Sequence, residues 1–145
     1  MSKQLILIRG VPGSGKSTLA RKIRRDSYNL YKSSICHFEA DQFFIDVEWE
    51  YHFDPSKIKA AHTWCQVETE HALKNGASVI VSNTFTQLWE MQPYFEMAKK
   101  HNAEVVVYLC QGNFKNIHGV PDAKVKQMRD RFEYDVSPLF ERFKV

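Results

Sequence analysis

The chain has 145 residues, 43% hydrophobic and 26% charged, with 6 glycines and 5 prolines; that composition predicts one globular domain over 1–145 and excludes a low-complexity or disordered chain. A formal charge of +3 permits a nucleic-acid partner without requiring one. Cys36, Cys65 and Cys110 have no metal-ligand spacing, the Leu5–Ile8 run is too short for a secretion signal, and no stretch nears the roughly 20 apolar residues of a membrane span, so the expectation is a cytoplasmic protein with reduced thiols and no membrane partner.

Residues 4–9 (QLILIR) predict a first strand, apolar on both faces. A helix follows from Lys16 to about Arg25, then a second strand over 35–40 (ICHFEA) and a loop carrying Phe43, Phe44, Trp49, Tyr51 and Phe53. Asp54 as N-cap and Pro55 at the first helical position open a long helix that stops at Asn75-Gly76. Ile58, Ala61, His62, Cys65, Thr69, Ala72 and Leu73 share its apolar face, which makes His62 a structural histidine. A third strand spans 78–82, and a helix within 86–101 is kinked or restarted by Pro93. The fourth strand covers 104–110. A helix after Pro121 carries Val125, Met128 and Phe132 on one stripe, and a short amphipathic piece lies near 137–143. Strand–helix alternation implies right-handed βαβ units and a parallel sheet with helices on both faces. In such α/β sheets ligands bind beyond the carboxyl ends of the strands.

The first such end reads GVPGSGKST (10–18) and fits G-x-x-x-x-G-K-[ST]. Average residue frequencies produce that pattern by chance in about one chain in a hundred of this length; following a buried strand and opening a helix makes chance far rarer. Gly10, Gly13, Ser14, Gly15 and Thr18 belong to a loop whose backbone N–H groups turn toward phosphates. Lys16 neutralises the β and γ groups, and Ser17 offers a hydroxyl to Mg²⁺. The ligand expected is ATP or another nucleoside triphosphate.

Hydrolytic NTPases commonly place an acid after another buried strand. Here strands three and four end Ser82-Asn83-Thr84 and Cys110-Gln111, without one; strand two ends with Glu39 and Asp41. Asp41, just past the strand, is the candidate base for a transferred proton, and Glu39 is the weaker candidate. Phosphoryl transfer is therefore favoured over hydrolysis. The aromatic run beside Asp41 suits base stacking or, equally in keeping with a small domain, loop anchoring, with Trp64 and Trp89 packing in support. Arg21-Lys22-Ile23-Arg24-Arg25 reads as a solvated helix face.

Five stretches, GVPGSGKST, ADQFF, YHFDPSKIKAAHTWCQ, SNTFTQLWEMQPY and HGVPDAKVKQMRDRFE, run through nearly the whole chain in order. Together they resemble the 5′-kinase domain of phage polynucleotide kinase and the small P-loop kinase-like domains of phage, bacterial and ubiquitin-ligase-binding proteins. The resemblance implies an α/β, three-layer P-loop NTPase fold, adenylate-kinase-like, with four parallel strands in the order 2-3-1-4. It also implies Asp41 as general base and a basic lid between strand four and the last helix. Two features depart from the pattern. Relatives commonly read DNTN or SDTN after strand three, where Ser82-Asn83-Thr84-Phe85 has no acid; Asn83 and Thr84 could still hydrogen-bond an acceptor. The lid GNFKNIHGVP carries only Lys115 and His118, so Lys115 or Arg129 is the candidate contact to the transferring group. The implied activity is an ATP- and Mg²⁺-dependent phosphotransferase acting on a hydroxyl of single-stranded DNA or RNA or of a nucleotide. Alternatives are a kinase of a small metabolite or of a modified base, and a nucleotide-binding interaction module with little turnover. A GTP switch lacks its N-K-x-D motif.

Overall fold

A computed structural model describes residues 3–114 and 119–144. Strand side chains alternate between faces, so the LILI run of β1 (Gln4–Arg9) points Leu5 and Leu7 one way and Ile6 and Ile8 the other, and all four are buried. Leu5 and Leu7 join a core with Val79 and Val81 of β3 (Val79–Asn83), Cys65 and Leu73 of α2 (Ile58–Lys74), Met91, Tyr94 and Phe95 of α3 (Leu88–Lys100), and Leu139 of α5 (Ser137–Arg142). Ile6, Ile8 and Ile80 pack on the opposite face against Ala20 of α1 (Lys16–Tyr31) and Ile35. Each such side chain contributes about 1.5–3 kcal/mol on burial, and that two-sided demand places β1 mid-sheet. Leu5 pairs in parallel with Val79 and with Val105 of β4 (Glu104–Leu109), while β2 (Cys36–Phe38) pairs with β3. The order is β2-β3-β1-β4, as expected.

Several boundaries differ from the sequence reading. α1 continues past Arg25 to Tyr31 because Ser27 turns inward and Lys22 pairs with Asp26 one turn on; Lys32, in the left-handed region, ends it by donating its N–H to Tyr28 O. β2 stops at Phe38 because the Ala40 N–H donates to the Asn83 side chain rather than to a strand, starting a 3₁₀ turn over Ala40–Phe44. Asp54 caps as expected, accepting from Ser56 N–H, but a 3₁₀ turn (Pro55–Lys57) precedes α2. α3 runs unbroken through Pro93. The last long helix, α4 (Asp122–Asp130), ends before Phe132, which packs with Val11 and Val125 from beyond it. Cys36, Cys65 and Cys110 are free thiols, and among the described residues no helix is long and apolar enough to cross a membrane.

Candidate functional site

The exit of β1 is held from three sides. Gly10 N–H donates to Thr84 O, Cys110 N–H donates to Arg9 O, and Gly112 and Phe114 N–H donate to Ser14 O and Gly13 O. Gly13 and Gly15 have φ of 82° and 99°, the left-handed region open to glycine. With Gly15 as N-cap, α1 begins at Lys16 and its first N–H groups face the loop concavity. Lys16 Nζ donates to Val11 O at 3.1 Å. Burial pulls its pKa below 10.5, against the opposing pull of Glu39, Cys110 and Asp41. Ser14 Oγ is buried without a hydrogen-bond partner. A desolvated cation and the N–H groups of the loop and the first turn of α1 together fit a polyphosphate.

Across from the loop, Asp41 sits in the Ala40–Phe44 turn and shares a cavity of about 510 Å³ with Lys16, Ser17, Thr18 and Thr84. Tyr51 Oη donates to Asp41 Oδ1 at 3.2 Å. An antiparallel bridge between Ile45 and Tyr51 brings the tyrosine there, and the Asp46 carboxylate closes the tip by accepting from Glu48 and Glu50 N–H. Partial burial and the neighbouring Asp41 push the Tyr51 phenol up to about 12, so it remains a donor at neutral pH.

The aromatic run divides between its two sequence readings. Phe43 packs on Trp64, whereas Tyr51 and Phe53, nearly parallel at 11° and 6.4 Å between centroids, line the cavity together with buried Phe44, which packs edge-on against both. Trp89, expected to support this region, is instead exposed on α3.

Glu39 is the residue the sequence reading undervalued. Its Oε1 accepts from Ser17 Oγ at 3.0 Å and lies 3.3 Å from His37 Nε2, which is itself 2.6 Å from Ser82 Oγ. Burial lowers the His37 pKa below 6.5, keeping the ring neutral near pH 7.

Other sites shift. Asn83 lines the cavity with its amide already engaged: Oδ1 accepts from Ala40 N–H and Nδ2 points to Cys65 Sγ, so it holds the Asp41 turn. Ile58 and His62, assigned to a core face, line the cavity together with buried Ala61, whereas Cys65, Thr69, Ala72 and Leu73 are buried as expected. Arg129 lines a separate pocket of about 220 Å³ with Gly112 and Tyr134, because α4 turns Lys124 and Met128 toward the main cavity and Arg129 lies a helical step away. Lys124, which the sequence reading did not name, is the α4 lysine that lines the cavity. Arg21, one turn after Ser17 in the run read as solvated, also lines the cavity. Lys115 and His118 lie outside the described residues.

Residues 5–114 match the protein family described as AAA domain. The chain belongs to this family. This AAA domain is 34% identical over 143 residues to human NEDD4-binding protein 2, covering 92% of the chain but only 8% of that protein's length. Its fold is that of P-loop kinases. The Pnkp1/Rnl/Hen1 RNA repair complex contains a chain that superposes with a TM-score of 0.67 at 18% identity, over 99% of this chain and 47% of that one. The Mycobacterium tuberculosis APS kinase CysC, solved with AMPPNP and APS, superposes with a TM-score of 0.61 at 13% identity, over 87% and 68%. A chain of an RNA repair complex and an APS kinase thus share the AAA domain's architecture.

Proposed function

We propose that this chain is an ATP-dependent phosphotransferase that moves a γ-phosphoryl group to a hydroxyl, with the 5′-hydroxyl of single-stranded DNA or RNA or of a nucleotide as acceptor. The observation that carries the reading is one cavity holding a phosphate loop on one wall and a carboxylate, Asp41, on the other. Backbone N–H groups from Gly13 to Thr18 and the Lys16 ammonium bind the phosphates, and Arg21 and Lys124 add positive charge along the rim. Hydroxyl and carboxylate oxygens at Ser17 and Glu39 suit a hard cation. Mg²⁺ held through Ser17 would neutralise charge on the β- and γ-phosphates.

Asp41 accepts the acceptor's proton as its oxygen bonds to the γ-phosphorus and the β–γ bridging bond breaks, releasing nucleoside diphosphate. Tyr51, donating to Asp41 Oδ1, helps hold the carboxylate at the cavity wall. The near-parallel rings of Tyr51 and Phe53 favour an acceptor with a planar base over a charged metabolite, since stacking contributes about 1–3 kcal/mol per base. The reading includes one domain over 1–145 in the cytoplasm.

Transfer of labelled γ-phosphate from ATP to 5′-hydroxyl oligonucleotides, nucleosides, modified-base DNA and small hydroxylated metabolites tests it. Label on an oligonucleotide, lost in Asp41→Asn and Lys16→Ala, is the expected result. Label only on a metabolite replaces the acceptor class. Tight ATP binding with no acceptor labelled, and turnover equal in wild type and Asp41→Asn, makes the protein a nucleotide-binding module.

A further inference from the structure

The ends of strands three and four carry no acid to accompany the Ser17 hydroxyl, yet that hydroxyl is not left to solvent. A serine hydroxyl has one proton to give and two lone pairs. Ser17 spends its proton on Glu39 Oε1 at 3.0 Å, which leaves only oxygen lone pairs to present to the phosphate side of the cavity. Glu39 comes from the end of β2, on the far side of β3 from the loop. Its carboxylate is four-fifths buried and lies 3.3 Å from His37 Nε2, the same nitrogen that shares a 2.6 Å hydrogen bond with Ser82 Oγ. The His37 ring is also largely buried, so it cannot swing into solvent.

We propose that Glu39, delivered from β2 and aimed by His37 and Ser82, is the acid that works with Ser17 at the divalent-cation site, in place of an acid at the end of β3. Ser82, next to last in β3, shares with Glu39 the single His37 nitrogen that holds the three side chains together. His37 is a positioning residue here: it touches Glu39, not the cation, and fixes the carboxylate as outer partners commonly do at metal sites. The inference rests on the phosphate-loop reading above and deepens it, by making Glu39 the acid of that cation site and His37 its positioning residue.

The test measures affinity for a fluorescent, non-hydrolysable ATP analogue in EDTA and again in excess Mg²⁺, with Mn²⁺ titrations of the nucleotide-loaded protein followed by electron paramagnetic resonance. The wild type is expected to bind more tightly when Mg²⁺ is added. Glu39→Gln removes a negative charge beside Lys16, so its metal-free affinity should equal or exceed that of wild type while its gain from Mg²⁺ falls at least tenfold. Glu39→Asp should restore part of the gain. His37→Phe should lose part of it, and His37→Gln, which keeps a side-chain N–H, should lose less. Thermal melts identify any variant that fails to fold, and the Asp and Gln substitutions keep the comparison available.

A Glu39→Gln protein with the full Mg²⁺ gain and an unchanged Mn²⁺ spectrum overturns the inference while leaving the phosphate-loop reading intact. A wild type that binds no nucleotide under either condition overturns both. A His37→Phe protein indistinguishable from wild type removes the positioning role.

Discussion

Replacing Gly10 with alanine places a methyl carbon 2.4 Å from Ser14 Oγ and 2.6 Å from Cys110 O. Ser14 can rotate its hydroxyl aside, although its Cβ stays at 3.2 Å. The Cys110 carbonyl cannot rotate: it is backbone at the exit of β4, and its own N–H is bound to Arg9 O at 2.8 Å. Ordinary carbon–oxygen contact therefore requires the loop and the β4 exit to separate by nearly an ångström. Overpacking of this kind costs about 1–3 kcal/mol, or about 3–10 °C in Tm for a chain of this size. The displacement falls on the segment that points N–H groups at phosphate, so nucleotide affinity should drop at least tenfold. Gly76→Ala is the control. Nothing lies within 4 Å of its added carbon, and its φ of +90° costs only the left-handed penalty of about 1–2 kcal/mol. Differential scanning fluorimetry with and without nucleotide reads both quantities. Equal nucleotide affinity in the two variants would refute the argument, because strain without displacement would then explain Gly10.

Lys16→Met should raise the stability of the nucleotide-free protein at pH 7. The folded lysine has its pKa pulled below 10.5 by burial, so the unfolded chain binds more protons and stability rises with pH through that window. The variant's advantage should shrink as pH approaches 10.5 in urea titrations, and a pH-independent gap would contradict the sign. Tyr51→Phe removes the donor on Asp41 Oδ1 and should lower turnover about tenfold, the size of a hydrogen bond to a charged group, with nucleotide affinity unchanged in steady-state kinetics. Arg9 is 1% exposed; it donates twice to Phe85 O, at 2.6 and 3.0 Å, and its guanidinium lies 4.3 Å over the Phe132 ring. Arg9→Met should cost about 2–3 kcal/mol in the urea midpoint, since it strands buried carbonyls, and Arg9→Lys should recover little because an ammonium cannot fork.

The alternation in LILI, the continuous VIVS run and the glycine loop made the sheet and the phosphate site readable, because each signal is local and periodic. What escaped reading depends on contacts across the fold. Arg9 looks like the polar end of a strand, and only the arrival of Phe85 and Phe132 makes it a buried clip. Glu39 and Ser17 meet through β2 and the loop, and their separation along the chain contains no motif. Lys124 was legible in principle: it lies one helical turn from Met128 on the face that follows Pro121, a spacing passed over in favour of Arg129 because the latter adjoins an apolar stripe. α1 was cut short because Arg24-Arg25-Asp26 carries no apolar period, while one inward-facing residue, Ser27, continues it.

The central position of β1 also sets the order of events during synthesis. The phosphate loop is made before β2, β3 and β4, yet Leu5 finds its partners only when Val79 and Val105 have been added, and the bonds that close the loop come from Thr84, Cys110, Gly112 and Phe114. A nascent chain that ends before β4 therefore carries the full nucleotide-binding motif without the framework that shapes it. Pairings this distant in sequence form slowly, and a ligand that favours only the assembled state rewards completion rather than initiation. Nucleotide capture on a stalled ribosome would mark the moment the fourth strand docks.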